Sequence, residues 1–180
     1  MKKITSLTLV LLMCVAMLAG CGSSNDKSSD GSNPGTMPTS EAIKISDKYT
    51  FEDPADLDFD TRYVLHVGPE SPMVVSGASM GLAGMYTILY AKDDIGVKEY
   101  SFTIYDSEES AQTFYDQMTS AGLKVSEPLA EDGTLTLDIN DADTLATNID
   151  IYYMEQMIPE STVSAYVDWF VKTYAAEVLE

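Results

Sequence analysis

The alternation of apolar and polar positions predicts three strands in the middle of the chain. Residues 61–67 are rich in β-branched and aromatic side chains and are followed by Gly-Pro, which ends a strand. Residues 85–91 and 97–105 flank a turn-like segment at 92–96, and this arrangement predicts a β-hairpin. Apolar and polar residues alternate from Glu99 to Ile104, so we expect one face of the second hairpin strand to be exposed to solvent.

Helical signals follow the hairpin. Asp106 or Ser107 can cap a first turn, because short polar side chains accept hydrogen bonds from free backbone N–H groups. Glu108 and Glu109 suit the positive end of a helix dipole, and Gly122 stands where a helix commonly ends. These residues predict a helix that starts near Ser107 and ends before Gly122.

The last third of the sequence contains further candidate elements. Residues 123–126 and 134–139 have the composition of short strands. Residues 143–157 fit the spacing of a helix and also that of a strand, and the length of the segment favours a helix. After Pro159, apolar side chains recur at helical spacing and predict a final amphipathic helix, at Val163, Tyr166, Val167, Phe170, Val171 and Tyr174.

These elements predict the fold class. Strands and helices are segregated without regular βαβ alternation, which indicates a single α+β domain. We expect a mainly antiparallel sheet of about four to six strands, with two or three helices packed on one face. Residues 71–91 carry no charge over nearly the length of a membrane span, but glycine and serine dilute their hydropathy, so we expect buried core there.

The N-terminus has a different pattern. Lys2 and Lys3 precede an apolar run at residues 7–19, which is too short for a permanent transmembrane helix. The run ends in the sequence Leu18-Ala19-Gly20-Cys21, which resembles the lipobox of bacterial lipoproteins. The resemblance covers only the first 21 residues. It implies that residues 1–20 are a signal peptide, that Cys21 is diacylglycerylated, and that Cys21 becomes the new N-terminus.

The segment after Cys21 predicts a tether. Residues 22–40 consist mainly of Ser, Gly, Asn, Asp, Thr and Pro without apolar periodicity, so they cannot contribute a core. We therefore divide the chain into a signal peptide (1–20), a lipidated cysteine with a flexible tether (21–41) and an α+β domain (42–180). The resemblance implies lipid anchoring at the outer face of the bacterial cell membrane, or at the periplasmic side of an outer membrane.

The net charge limits the partners. The formal charge is −19, and loss of the two leader lysines makes the processed chain −21. Repulsion disfavours nucleic acid and anionic lipid surfaces, whereas cations and basic partners are attracted. Cys14 leaves with the leader and Cys21 carries the lipid, so the sequence offers no thiol for catalysis, zinc binding or a disulfide.

One short motif raises the possibility of catalysis. Gly77-Ala78-Ser79-Met80-Gly81 matches G-x-S-x-G and resembles the nucleophile elbow of the α/β-hydrolases. The resemblance implies Ser79 as the nucleophile and the backbone N–H of Met80 as an oxyanion donor. However, the only histidine, His66, precedes the serine, whereas the family has its histidine after the serine. A close-packed bend between strands is the alternative interpretation.

Acidic residues offer a second candidate site. Asp56, Asp58 and Asp60 stand at alternate positions and could supply oxygen ligands to calcium, although the glycine and glutamate of an EF-hand loop are missing. Solvated acidic loops are the competing interpretation, and the sequence predicts no metal or cofactor. His66 is expected to pack on a strand, and Arg62 to pair with a carboxylate.

The sequence therefore favours a lipid-anchored, non-catalytic binding or accessory module. Its ligand would be a protein, a cell-wall component or a cation outside the membrane, and nucleic acid is not expected. The alternative is an extracytoplasmic serine hydrolase that uses Ser79.

Overall fold

The computed structural model describes residues 42–122, 126, 128–129 and 133–179. The predicted signal peptide, Cys21, the predicted tether and most of the strand predicted at 123–126 lie outside the described residues. The elements in chain order are β1 (Ile43–Lys44), β2 (Thr50–Phe51), β3 (Thr61–Val67), α1 (Pro72–Gly77), a 3₁₀ turn (Ala78–Met80), β4 (Leu82–Lys92), β5 (Ile95–Tyr105), α2 (Glu108–Ser120), β6 (Leu135–Asp141), α3 (Ala142–Met154), α4 (Val163–Tyr174) and β7 (Glu177–Val178).

Five of the strands form an antiparallel sheet in the order β6-β5-β4-β3-β7, and β1 pairs with β2 in a separate two-stranded sheet. The long β4–β5 hairpin is the centre of the main sheet and confirms the hairpin predicted from the sequence. Asp93 and Asp94 close it with φ angles of 54° and 61°. Two successive left-handed residues match the twist of a hairpin, which explains why a two-residue turn forms here.

One face of the main sheet lies against the small β1–β2 hairpin, and we call it the hairpin-covered face. Val64, Ile88 and Phe102 from three neighbouring strands are buried there together with Ile45 and Phe51. The rings of Phe51 and Phe102 lie edge to face, with centroids 5.4 Å apart. Two short strands at the start of the domain thus supply a covering layer that their length alone does not suggest.

Helices cover the opposite face, the helix-covered face. The backbone at Gly96 allows their close approach, because a Cβ atom there would come within 2.5 Å of Leu145 Cδ2 in α3. Asp94 fixes α4, since its carboxylate accepts hydrogen bonds from Ser164 N at 2.8 Å and from Ser164 Oγ at 2.6 Å. A carboxylate at a helix N-terminus is favourable for the helix dipole. The hairpin turn therefore also sets the position of α4 on the sheet.

The predicted fold class is confirmed, as are several of its elements. Thr61–Val67 is a strand with the predicted bounds, and the segment that fitted either helix or strand is the helix Ala142–Met154. Ser107 caps α2 by accepting from Ser110 N, and Gly122 follows that helix with φ 79°. Val74 and the residues 87–91 are buried, as expected for the uncharged segment, but Val75 and Met80 in the same segment are 62% and 50% exposed, so the expectation holds only in part.

Two expectations were wrong. The apolar residues Met73, Val74 and Val75 before the motif lie in the short helix α1, which Ser71 caps, so the G-x-S-x-G sequence does not lie between strands. We also expected the polar face of β5 to be exposed to solvent, and it is covered instead. Glu99 on that face is only 5% exposed because α3 packs on β5 and Tyr166 of α4 lies nearby. An alternating strand pattern cannot report a covering layer from elsewhere in the chain.

Candidate functional site

The G-x-S-x-G sequence lies at the junction of α1 and β4. Ser79 is the middle residue of the 3₁₀ turn, and it is exposed to solvent. A nucleophile elbow places its serine between a strand and a following helix, whereas here a helix comes first and a strand follows. Ser79 makes no side-chain hydrogen bond with any other described residue. His66 instead stacks on Tyr86, with ring centroids 4.5 Å apart.

The structure explains why glycine stands at both ends of this motif. A Cβ atom at Gly77 would come within 2.6 Å of Leu82 Cδ2, so the start of the turn is too tight for a side chain. Gly81 has φ 79°, in the left-handed region that glycine adopts without strain, and its carbonyl accepts from Asp106 N at 2.8 Å. The spacing of the motif therefore follows from how this turn packs between β4 and α2.

The three alternate aspartates do not share a centre. Asp58 bonds Lys92, while Asp60 accepts from Asp93 N and Thr61 Oγ1, each at 2.9 Å. The hydrogen bond from the Asp93 backbone lowers the pKa of the Asp60 carboxyl, and the bond from Thr61 adds to the effect. Asp56 is exposed. Within the described part of the chain, no three His, Cys, Asp or Glu residues are grouped to hold a metal ion.

Arg62 forms a buried ion pair on the hairpin-covered face. Its Nη1 donates to Asp53 Oδ2 at 2.7 Å, and the two side chains are 3% and 10% exposed. Tyr90 OH donates to the other oxygen of Asp53 at 2.5 Å. Burial, with the neighbouring Asp53 carboxylate, raises the pKa of Tyr90 and keeps the hydroxyl protonated. The predicted pairing of Arg62 with a carboxylate is confirmed, and the cluster joins the start of the domain to the central strands.

Glu99 is a buried carboxyl that the sequence interpretation missed. It lies on the helix-covered face of β5, where Asn140 Nδ2 donates to Glu99 Oε2 at 2.7 Å and Ser101 Oγ lies 3.4 Å from Oε1. Tyr152 of α3 and Tyr166 of α4 lie near the site; burial raises the pKa of each phenol, and the nearby Glu99 carboxyl makes a smaller contribution in the same direction. The sequence feature that could have indicated its burial is the apolar face of α4, because a helix with so wide an apolar face packs on a sheet surface.

The environment of Glu99 favours its neutral form. Burial raises the pKa of the carboxyl, and the nearby Asp138 carboxylate adds to the effect, while the hydrogen bonds from Asn140 and Ser101 oppose it. A carboxyl with these surroundings can hold a proton at a pH where an exposed glutamate has lost it. It is enclosed by side chains, so its chemistry acts on the fold and not on a substrate.

Comparison with known proteins adds no resemblance. No family model matches the chain, and no curated protein or solved structure does. Among the described residues, no helix has both the length and the apolar character that crossing a bilayer requires.

Proposed function

We propose that this protein is a lipid-anchored extracytoplasmic protein that acts as a non-catalytic binding or accessory module. The observation that carries the proposal is the sequence Leu18-Ala19-Gly20-Cys21 at the end of an apolar leader that starts with Lys2 and Lys3. Two or more acyl chains on one cysteine hold a protein durably on a membrane, whereas a single chain is marginal.

The tether suits a module that works away from the lipid surface. If the predicted tether behaves as a Ser- and Gly-rich coil of some twenty residues, it reaches roughly 25 Å on average. The domain beyond it belongs to a processed chain of charge −21, which anionic headgroups repel and basic partners attract. The binding role is favoured over hydrolysis because packing and backbone conformation account for both glycines of the motif around Ser79.

Metabolic labelling with radioactive palmitate tests the anchor, and the chain offers a matched control. We expect Cys21→Ala to abolish labelling and to accumulate the precursor, because the thiol is the acyl acceptor. Cys14→Ala changes the other cysteine, seven positions earlier in the leader, and should be labelled as strongly as the parent chain. Normal labelling of the Cys21→Ala protein would refute the proposed anchor.

The binding role needs a separate measurement. The full chain is cross-linked on intact cells, purified from solubilised membranes and analysed for proteins recovered in stoichiometric amount. We expect a specific partner with the parent chain and with Cys14→Ala. Recovery of the chain alone, at natural abundance and over several cross-linker lengths, would contradict a protein-binding role.

A further inference from the structure

A solvent-exposed apolar surface lies where α3 ends. Tyr153 is 46% and Met154 is 71% exposed, and they line a shallow depression together with Gln156, Met157, Ile158 and Pro159. We refer to these residues, 153–154 and 156–159, as the methionine patch. Methionine side chains are flexible and polarisable, so they adapt to irregular apolar surfaces.

The backbone of the methionine patch is held in one conformation. Gln156 N donates to Tyr153 O at 3.0 Å and Met157 N donates to Tyr152 O at 2.9 Å, so both bonds close the end of α3. Gln156 takes φ 59°, a left-handed conformation that costs a non-glycine residue on the order of 1–2 kcal/mol. Ile158 is 4% exposed and anchors the segment from below. The depression is therefore formed before any ligand arrives.

Negatively charged side chains flank the methionine patch in the sequence, and the next basic residue after it is Lys172. The sequence from residue 125 to residue 171 contains no lysine or arginine. Asp150, Glu155 and Glu160 are exposed, and Asp150 lies one helical turn before Met154 on the same side of α3. An apolar depression with carboxylates at its rim is complementary to an apolar surface bordered by cations.

We propose that the methionine patch docks a basic amphipathic segment of a partner protein. The segment places its apolar side chains in the depression and its lysine or arginine side chains on Asp150, Glu155 and Glu160, as an amphipathic helix does in an acidic groove. This inference rests on the proposed binding role and names the chemistry of the partner.

Other occupants fit the charge less well. A second copy of this chain would bring the same carboxylates into contact, and anionic lipid headgroups would meet the same repulsion. The tether contains a single basic residue, Lys27, among several acidic ones, so it cannot supply a basic face. A cationic segment is the occupant that satisfies both the apolar depression and its rim.

The test uses a labelled peptide of leucine and lysine that forms an amphipathic helix of about five turns. Fluorescence anisotropy measures its binding to the full chain in phosphatidylcholine nanodiscs, with empty discs as background. A peptide with serine in place of leucine has the same charge without the apolar face. We expect the leucine peptide to bind and the serine peptide to bind at least about tenfold more weakly.

Two matched variants separate docking from general attraction. Met154→Glu and Val75→Glu each add one negative charge at an apolar side chain that is more than half exposed. If the patch is the docking site, Met154→Glu weakens leucine-peptide binding about tenfold or more, because a buried apolar contact is lost, and Val75→Glu changes it less than about twofold. Equal effects of both variants, or tighter binding by Met154→Glu, would overturn the proposal. Vesicles containing phosphatidylglycerol form a third arm, and Met154-dependent binding to them without peptide binding would also overturn it.

Failure of this inference and failure of the proposed function give different results. A cross-linked partner recovered equally with Met154→Glu and Val75→Glu would support the binding role and contradict the assigned surface. Peptide docking that depends on Met154, in a protein that palmitate does not label, would support the surface and contradict the anchor.

Discussion

Replacing Glu99 by glutamine tests whether the buried carboxyl is held in its neutral form. Glutamine keeps the shape of protonated glutamate and can still accept from Asn140, but it cannot ionise. Glu99 is 5% exposed, and burial raises its pKa from the ordinary value of 4.5. The titratable groups that face it are Asp138 on β6, Tyr152 on α3 and Tyr166 on α4, and none of the three is cationic.

The sign of the effect follows from proton linkage. The unfolded chain loses the Glu99 proton near pH 4.5, whereas the folded protein keeps it up to its raised pKa. The stabilisation by the neutral carboxyl is therefore complete below pH 4.5 and is lost as the pH rises through the folded pKa. Between the unfolded and the folded pKa, the free energy of unfolding of the parent protein falls relative to that of Glu99→Gln by about 1.4 kcal/mol per pH unit.

Urea unfolding at a series of pH values, followed by the fluorescence of the single tryptophan, measures this difference. Trp169 lies in α4 and packs on Tyr152, with ring centroids 4.4 Å apart, so its signal reports the helices above Glu99. Taking the difference between the two proteins removes the contribution of the other carboxyls. We expect Glu99→Gln to gain stability over the parent as the pH rises above about 4.5, until the folded carboxyl has lost its proton. A difference that does not change with pH would refute a raised pKa.

Three further predictions concern the packing, the backbone and the motif. Phe170→Ala should lower the free energy of unfolding by about 3–5 kcal/mol in urea titrations, because the ring is 4% exposed; a loss below about 1 kcal/mol would contradict the packing of α4. Ala175→Gly should raise the free energy of unfolding by about 0.5–1 kcal/mol, because Ala175 ends α4 at φ 51°, where glycine is unstrained and alanine is not. Ala121→Gly, at φ −77° after α2, should lower the free energy of unfolding. Ser79 should remain unlabelled by a fluorophosphonate probe, and stoichiometric labelling that disappears in Ser79→Ala would establish a reactive serine.

Local signals in the sequence were sufficient for the elements whose partners are close along the chain. The β4–β5 hairpin has alternating strands joined by a short polar turn, and its pairing needs no distant contact. Helix α2 was predicted from Ser107 and Gly122 because caps and left-handed ends are properties of a few neighbouring residues. The apolar face of α4 was clear for the same reason, because the spacing of its apolar residues can be recognised within two helical turns.

The covering of the sheet could not be predicted in this way. Glu99 is buried by contacts to Asn140, 41 positions later, and by helices still further along the chain. The short apolar run before Ser79 fits a strand or a helix by composition, and Ser71 decides it by capping α1. The carboxylates at 56–60 separate because each finds a different partner in the folded chain, such as Lys92 for Asp58.

The polar contact at Glu99 also distinguishes between strand registers that the apolar pattern leaves equivalent. On the hairpin-covered face, β5 and β6 present apolar side chains at every second position, so a slip of two residues would still match apolar with apolar. Glu99 and Asn140 are direct partners in the observed register and are joined by the 2.7 Å hydrogen bond on the opposite face. A slip would leave the buried carboxyl without its amide donor, which costs about 1–3 kcal/mol. The residue that departs most from the apolar pattern therefore helps to fix how β6 pairs with β5.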